Sequence, residues 1–281
     1  MPSEVSFPAT AVWGYAYETA FSFIFPLALF FFFRKRHREF RFRPLLVGFA
    51  AYFAVSLVRG AFRYLILTDS VRQIPAMFYT ISALLSGVLE EAGRYLAFRY
   101  ALDGCDSFQD AVSYGIGHGG MEQMFGTGVL ASKLLYRALR CNSIGLSGMI
   151  AGMDPERAEA FALELESSAD SSLPSSLLMS ACWAEGMFLH IALSVLVLAA
   201  VVYVGEKKQL WIAMALHTFL DIIPPLTVWS KVPLPMLTNS LIALMPIVYA
   251  YKVWKRIRRE EIQNGFKNDA PRRDSQSGGK L

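Results

Sequence analysis

The chain has few cysteines and few histidines, no internal repeat and no strand-like alternation, and each shortage narrows the field. Cys105, Cys141 and Cys182 are odd in number and show no CxxC spacing, which argues against a disulfide framework or a thiolate zinc site. No alternation of apolar and polar residues over ~10 positions is present, so the strands of an outer-membrane barrel find no support. The missing repeat removes support for the inverted-repeat architecture of many transporters. No positive n-region precedes the first apolar run, and that run is long; it reads as a retained span, not a cleaved signal. His-Glu-x-x-His, the common zinc-protease signature, is also missing.

What is abundant is apolar sequence in long blocks. The 281 residues are 54% hydrophobic and 18% charged, with a mean hydropathy of +0.37. That balance fits an integral membrane protein, and a helical span takes ~20 apolar residues. Candidate spans fall at about 9–33, 44–67, 75–101, 109–135, 177–204, 209–228 and 235–255. The expected fold is all-α: a polytopic membrane helix bundle of about seven transmembrane helices, with the N-terminus outside and the C-terminus cytoplasmic. One transmembrane domain covers 1–263, with its core at about 74–225, and a polar, disordered cytoplasmic tail covers 264–281. The basic run Arg34–Arg43, the pair Lys207-Lys208 and the cluster Lys255–Arg259 share one side only if the number of spans is odd. The N-terminal segment has no Lys or Arg, so the positive-inside rule sets this orientation. The tail's charges suit solvation and lipid headgroups, not nucleic acid.

Two further segments stand out. The long outer loop, about 136–176, contains Asp154-Pro155-Glu156, a helix start with an N-cap acid and Pro at the first helical position. Ala158, Phe161, Ala162 and Leu165 then share a face, predicting a short amphipathic surface helix followed by a Ser167–Ser176 linker. Span four carries Gly115, Gly117, Gly119, Gly120, Gly126 and Gly128, and the Gly115/Gly119 pair predicts close approach of another helix.

The functional signal is where acids and histidines sit inside these apolar blocks. Three of the four histidines lie there, in Glu90-Glu91-x-x-Arg94, His118-Gly-Gly-Met-Glu122, His190 and His217-x-x-x-Asp221. An ionisable group in hydrocarbon is expensive and needs a partner or a water-filled cavity. At ~1.5 Å rise per residue, Glu90, His118 and His217 lie roughly 12–15 Å from the inner ends of their spans, and His190 roughly 21 Å. With tilt, all four can share one level in the inner half of the bilayer. Glu90 and Glu91 are i,i+4 and i,i+3 from Arg94, so one acid can pair with it while the other faces the cavity. His118/Glu122 and His217/Asp221 are also i,i+4, and each acid is expected to hold one imidazole nitrogen. Glu185 lies more than a turn from His190. Arg59 and Arg63 read as structural, with Arg63 snorkelling and Arg59 deep enough to meet an acid of another span.

Glu-Glu-x-x-Arg on one span, a His on the next and His-x-x-x-Asp two spans later resembles the CAAX-protease and bacteriocin-processing (CPBP, PrsW-like) clan of intramembrane endopeptidases. Within it, Leu89–Arg99, Gly115-Ile-Gly-His118-Gly-Gly-Met-Glu122 and His190-Ile-Ala-Leu-Ser-Val195 resemble the YhfC-type membrane peptidase family, over roughly Ile74 to Pro225. Two departures are Gly186 after Glu185, where the family has Arg, and Asp221, where the wider clan often has Asn. The resemblance implies Glu90 as the base that activates water, assisted by Glu91. It implies His118 and His217 as oxyanion stabilisers and Arg94, Glu122, His190 and Asp221 as support. Members of this clan are described as both metallo and glutamic proteases; a metal, if present, would be zinc on His118, His190 and His217. The implied partners are a membrane-protein or lipidated peptide substrate and the lipid bilayer, in a multi-pass protein of the cell membrane. A transporter or channel with a His/Glu ion-binding core, or a non-catalytic scaffold, is the alternative.

Overall fold

The structure is a computed structural model and describes residues 4–230 and 236–269. It is all-α over that range. The helices are α1 (Ala9–Arg36), α2 (Phe42–Ile66), the single turn α3 (Asp69–Arg72), α4 (Pro75–Leu96), α5 (Phe108–Gln123), α6 (Val129–Ile150), α7 (Pro155–Ala169), α8 (Leu173–Val202), α9 (Lys208–Ser230) and α10 (Met236–Asp269). Among the described residues, α1, α2 and α8 are long and apolar enough to cross a membrane. Their environments differ. Phe23, Ile24, Phe31 and Phe32 of α1 and Phe49, Phe53 and Leu57 of α2 are exposed, an outer surface suited to lipid. Two thirds of the apolar window of α8 is buried, with Leu193 to Ala199 forming the centre of the core. α10 continues to Asp269; of the polar tail expected from 264 onward, residues 270–281 lie outside the described residues.

Local chemistry sets the helix starts. Ser107 Oγ accepts from Asp110 N at 3.2 Å while the Asp110 carboxylate accepts from Ser107 N at 3.0 Å, a reciprocal cap opening α5. Arg41, just before α2, donates its Nε–H to the same carboxylate at 2.7 Å. That hydrogen bond holds the Arg41 guanidinium above its usual range and ties the start of α5 to the start of α2. Ser172 and Ser175 cap α8 in the same reciprocal way, and Asp154 caps α7 by accepting from Arg157 N at 3.0 Å.

The region expected as a loop at 136–176 is mostly helical. The chain runs from α5 through a π-helical turn at Met124–Gly128 into α6, past the expected end of span four, and breaks at Gly145 with φ +70°. The reason is packing. Ala138, Cys141 and Leu146 bury against Phe7, Ala11 and Tyr15 of the N-terminal segment and against Ala162 and Leu165 of α7. Asn142 accepts from Phe7 N and donates to Phe7 O, both at 2.8 Å. α7 is the expected amphipathic helix, but it is anchored: Arg137 reaches Glu164 at 2.5 Å and Tyr15 donates to Ser168 O at 2.7 Å. The Ser-rich linker shrinks to the three residues before α8. The three cysteines are free, and Cys141 lies in α6, not in a loop.

α5 is the pivot of the bundle. It lies between α2 and α8, with Asp110 to Met121 all buried. This approach needs glycine. A Cβ on Gly117 would stand 2.0 Å from the Leu45 carbonyl oxygen, and one on Gly115 2.5 Å from Ile191 Cα. On the other side of the site α4 packs between α2 and α9, where a Cβ on Gly87 would stand 2.7 Å from Thr218 N.

Candidate active site

These close approaches bring five helices to one buried point. α4 supplies Glu90, Glu91 and Arg94; α5 supplies His118 and Glu122; α8 supplies His190; α9 supplies His217 and Asp221; α2 supplies Arg59. Glu90, Glu91, Arg94, His118, His190 and His217 are all buried. The three imidazoles form a chain, with ring centroids 5.0 Å apart for His118 and His190 and 5.3 Å for His190 and His217.

Glu90 stands at the centre. One carboxylate oxygen accepts from Arg59, whose guanidinium also donates to Ser86 Oγ at 3.1 Å and lies over the Tyr52 ring. The other faces His118 Nε2 at 3.2 Å and His217 Nε2 at 3.8 Å. Arg94 takes Glu91, not Glu90, donating from Nη1 at 3.0 Å. Its Nη2 lies 3.0 Å from His190 Nδ1. A guanidinium can only donate, so His190 Nδ1 accepts, and its proton sits on Nε2, 2.5 Å from Glu122 Oε2.

The expected pairing within helices is therefore replaced by pairing between them. Glu122 holds His190, not its i,i+4 neighbour His118, because Gly119 has no side chain and the His190 ring packs into the gap. Glu91 Oε1 holds His217 Nδ1 at 2.7 Å, while Asp221 stands 3.7 Å from Nε2. Gly87 permits this by letting α9 close on α4. Glu185 is half-buried and makes no hydrogen bond or ion pair with the cluster among the described residues. Sequence reasoning undervalued Arg59, read as structural; a charge that deep in an apolar span was the available signal. It did not single out Tyr52 or Tyr114, whose rings lie 5.3 and 6.0 Å from His118.

The donor set fits a metal ion. Glu90, His118 and His190 each offer a ligand atom, and these atoms lie within 4.8 Å of one another. His118 Nδ1 is buried and has no hydrogen-bond partner among the described residues. Four carboxylates, Glu90, Glu91, Glu122 and Asp221, face two guanidiniums, Arg59 and Arg94. With the carboxylates and guanidiniums ionised the cluster is net negative, which suits a bound cation. Two π-helical turns, Ala97–Ala101 after Arg94 and Met124–Gly128 after Glu122, flank the site, a placement π-bulges often take near function.

Comparison with known proteins agrees with this chemistry. The family model described as YhfC intramembrane metalloprotease matches residues 21–257. The uncharacterized membrane protein YhfC of Bacillus subtilis (strain 168) is 26% identical over 149 residues, covering 51% of this chain and 57% of that protein. The chain thus spans little more than half the length of this curated relative. No solved structure matches the chain. The protein is a membrane protein with several apolar helices. Because the family model covers most of its length, the chain belongs to the YhfC intramembrane metalloprotease family.

Proposed function

We propose that this protein is an intramembrane endopeptidase that hydrolyses a peptide bond in or near the inner half of the bilayer. The observation that carries the reading is the convergence of Glu90, His118 and His190, with donor atoms within 4.8 Å, in a chain of a metalloprotease family. α1, α2, α4, α5 with α6, α8, α9 and α10 stand where seven spans are expected, which supports a seven-span reading with the N-terminus outside.

In this reading His118 and His190 would hold a divalent ion, zinc by the nature of the donors, with Glu90 beside it as the base and His217 facing Glu90 at the edge of the set. When bound, zinc lowers the pKa of a coordinated water and polarises a carbonyl. The chain's own groups do the rest. Glu90 Oε2, the oxygen turned toward His118 and His217, takes the proton of the attacking water. Arg59 keeps the other oxygen of Glu90 in place. Arg94 fixes the ring of His190 and the carboxylate of Glu91 together. Glu91 fixes His217 through Nδ1, so that Nε2 of the imidazolium donates to the oxyanion of the tetrahedral intermediate. Because Arg94 holds Nδ1 of His190, the ion would be bound through Nε2, whose proton would pass to Glu122, 28% exposed at the rim. Asp221 steadies His217 from the outside. The substrate class is a membrane-protein or lipidated peptide segment.

Substrate-trapping proteomics with Glu90→Gln against wild type tests this directly. Peptides should accumulate uncleaved on the variant and be cleaved by wild type in liposomes, with activity lost to a chelator and restored by zinc. Full cleavage by Glu90→Gln would overturn the assignment of the base.

A further inference from the structure

A second feature lies outside the catalytic cluster, where α2 ends and α4 begins. A cavity of about 520 Å³ opens there, lined by Arg63, Leu67, Arg72, Pro75, Phe78 and Tyr79. Two guanidiniums and a phenol meet an apolar floor, and among the described residues no carboxylate lines the cavity. Arg63 is half-buried one turn before the end of α2, and its Nε is buried without a hydrogen-bond partner among the described residues. The acids whose field reaches Arg63 are engaged elsewhere: Glu90 by Arg59 and His118, Asp221 by His217. Arg72, on the single turn α3, has only a loose exposed contact with Asp69 at 3.6 Å.

A guanidinium in a spanning helix needs an anionic partner or water, and here the protein supplies no close one among the described residues. The location supplies a candidate. Leu67 caps the end of α2, a helix long and apolar enough to span, and Pro75 is the first residue of α4. The cavity therefore sits at the end of a span, the level at which lipid phosphates lie, beside the exposed apolar residues Leu65, Ile66, Ile74 and Met77. Guanidinium forks match phosphate oxygens, and Leu67, Pro75 and Phe78 suit the glycerol and first acyl carbons.

We propose that this cavity binds a phosphate group, presented as the headgroup of an anionic phospholipid, with Arg63 and Arg72 as the phosphate ligands and Tyr79 as a further donor. The proposal is independent of the peptidase reading, since none of these residues belongs to the catalytic cluster.

The test uses the full chain, delipidated in neutral detergent, and native mass spectrometry with three probes: phosphatidylglycerol, diacylglycerol of the same chains, and inorganic phosphate. Wild type should bind one phosphatidylglycerol saturably and at least about tenfold more tightly than diacylglycerol. Arg63→Gln should weaken that binding by about tenfold or more and Arg72→Gln by less, each expected to be worth a charge-assisted contact. Saturable binding of inorganic phosphate alone, lost in the same variants, would keep the phosphate site and assign it to free phosphate. If Arg63→Gln does not yield folded protein, the exposed Arg72→Gln decides, because its side chain supports nothing in the core. Equal binding of phosphatidylglycerol and diacylglycerol, no binding of either phosphate probe by wild type, or undiminished affinity in the folded variants would overturn the proposal.

Discussion

Arg94 is the residue whose removal should be most revealing. It is fully buried, and its two nitrogens tie Glu91 of its own helix to His190 of α8. Arg94→Gln shortens the side chain and removes the charge while Glu91 stays ionised and buried. With charge centres about 4 Å apart and an effective dielectric of about 20, the lost attraction is about 4 kcal/mol. Breaking one side of a buried pair costs about 3–5 kcal/mol in practice, which agrees. For a protein of this size that is a fall in melting temperature of about 10 °C. The double variant Arg94→Gln/Glu91→Gln removes both charges. It should lose only the hydrogen bonds to His190 and His217, about 1–2 kcal/mol, and melt above the single variant. Tryptophan fluorescence during heating in detergent reads this, since the chain has five tryptophans. Cleavage should be lost in both variants, because His190 and His217 lose their holders either way. A single variant melting within about 1 °C of wild type, or a double variant melting below the single, would refute the buried pair as the organiser of the site.

Other outcomes follow from the same geometry. His217→Ala should slow cleavage by ~100-fold or more if it is an oxyanion donor, read from initial rates on a trapped substrate. Asp221→Asn should be milder, because Glu91 at 2.7 Å holds His217 more closely than Asp221 at 3.7 Å; a larger loss than in His217→Ala would contradict this order. Gly117→Ala should destabilise the bundle by about 1–3 kcal/mol or more, because its Cβ would meet a backbone oxygen at 2.0 Å that cannot rotate away. Gly60→Ala, with nothing within 4 Å, should be neutral or stabilising by up to about 1 kcal/mol; equal melting points for the two variants would count against the packing of α5 on α2. Cysteine labelling from outside should modify position 150 and spare position 270, and the reverse would invert the topology.

The sequence by itself determined the class of the protein and most of its helices. Runs of about twenty apolar residues read as candidate spans, and acids and histidines inside such runs need polar partners. That reasoning made Glu90, Glu91, Arg94, His118, Glu122, His190, His217 and Asp221 legible as one set before any contact was known. The α7 start was legible for the same local reason: Asp154 and Pro155 act within one turn. What spacing along one helix could not decide was pairing between helices. His118 and Glu122 are neighbours in register, yet Glu122 belongs to His190, because Gly119 admits that ring. His217 and Asp221 are neighbours too, yet Glu91 holds His217, because Gly87 lets α9 close on α4. Arg59 joins the site only because α2 packs against α4 and turns its guanidinium to Glu90. The continuation of α6 beyond the expected span was likewise decided by burial against α7 and the N-terminal segment. Local propensity and hydrocarbon thickness act along a single chain segment. The choice of partner across a bundle depends on which backbones can approach, and a missing Cβ sets that only once the neighbouring helix is in place.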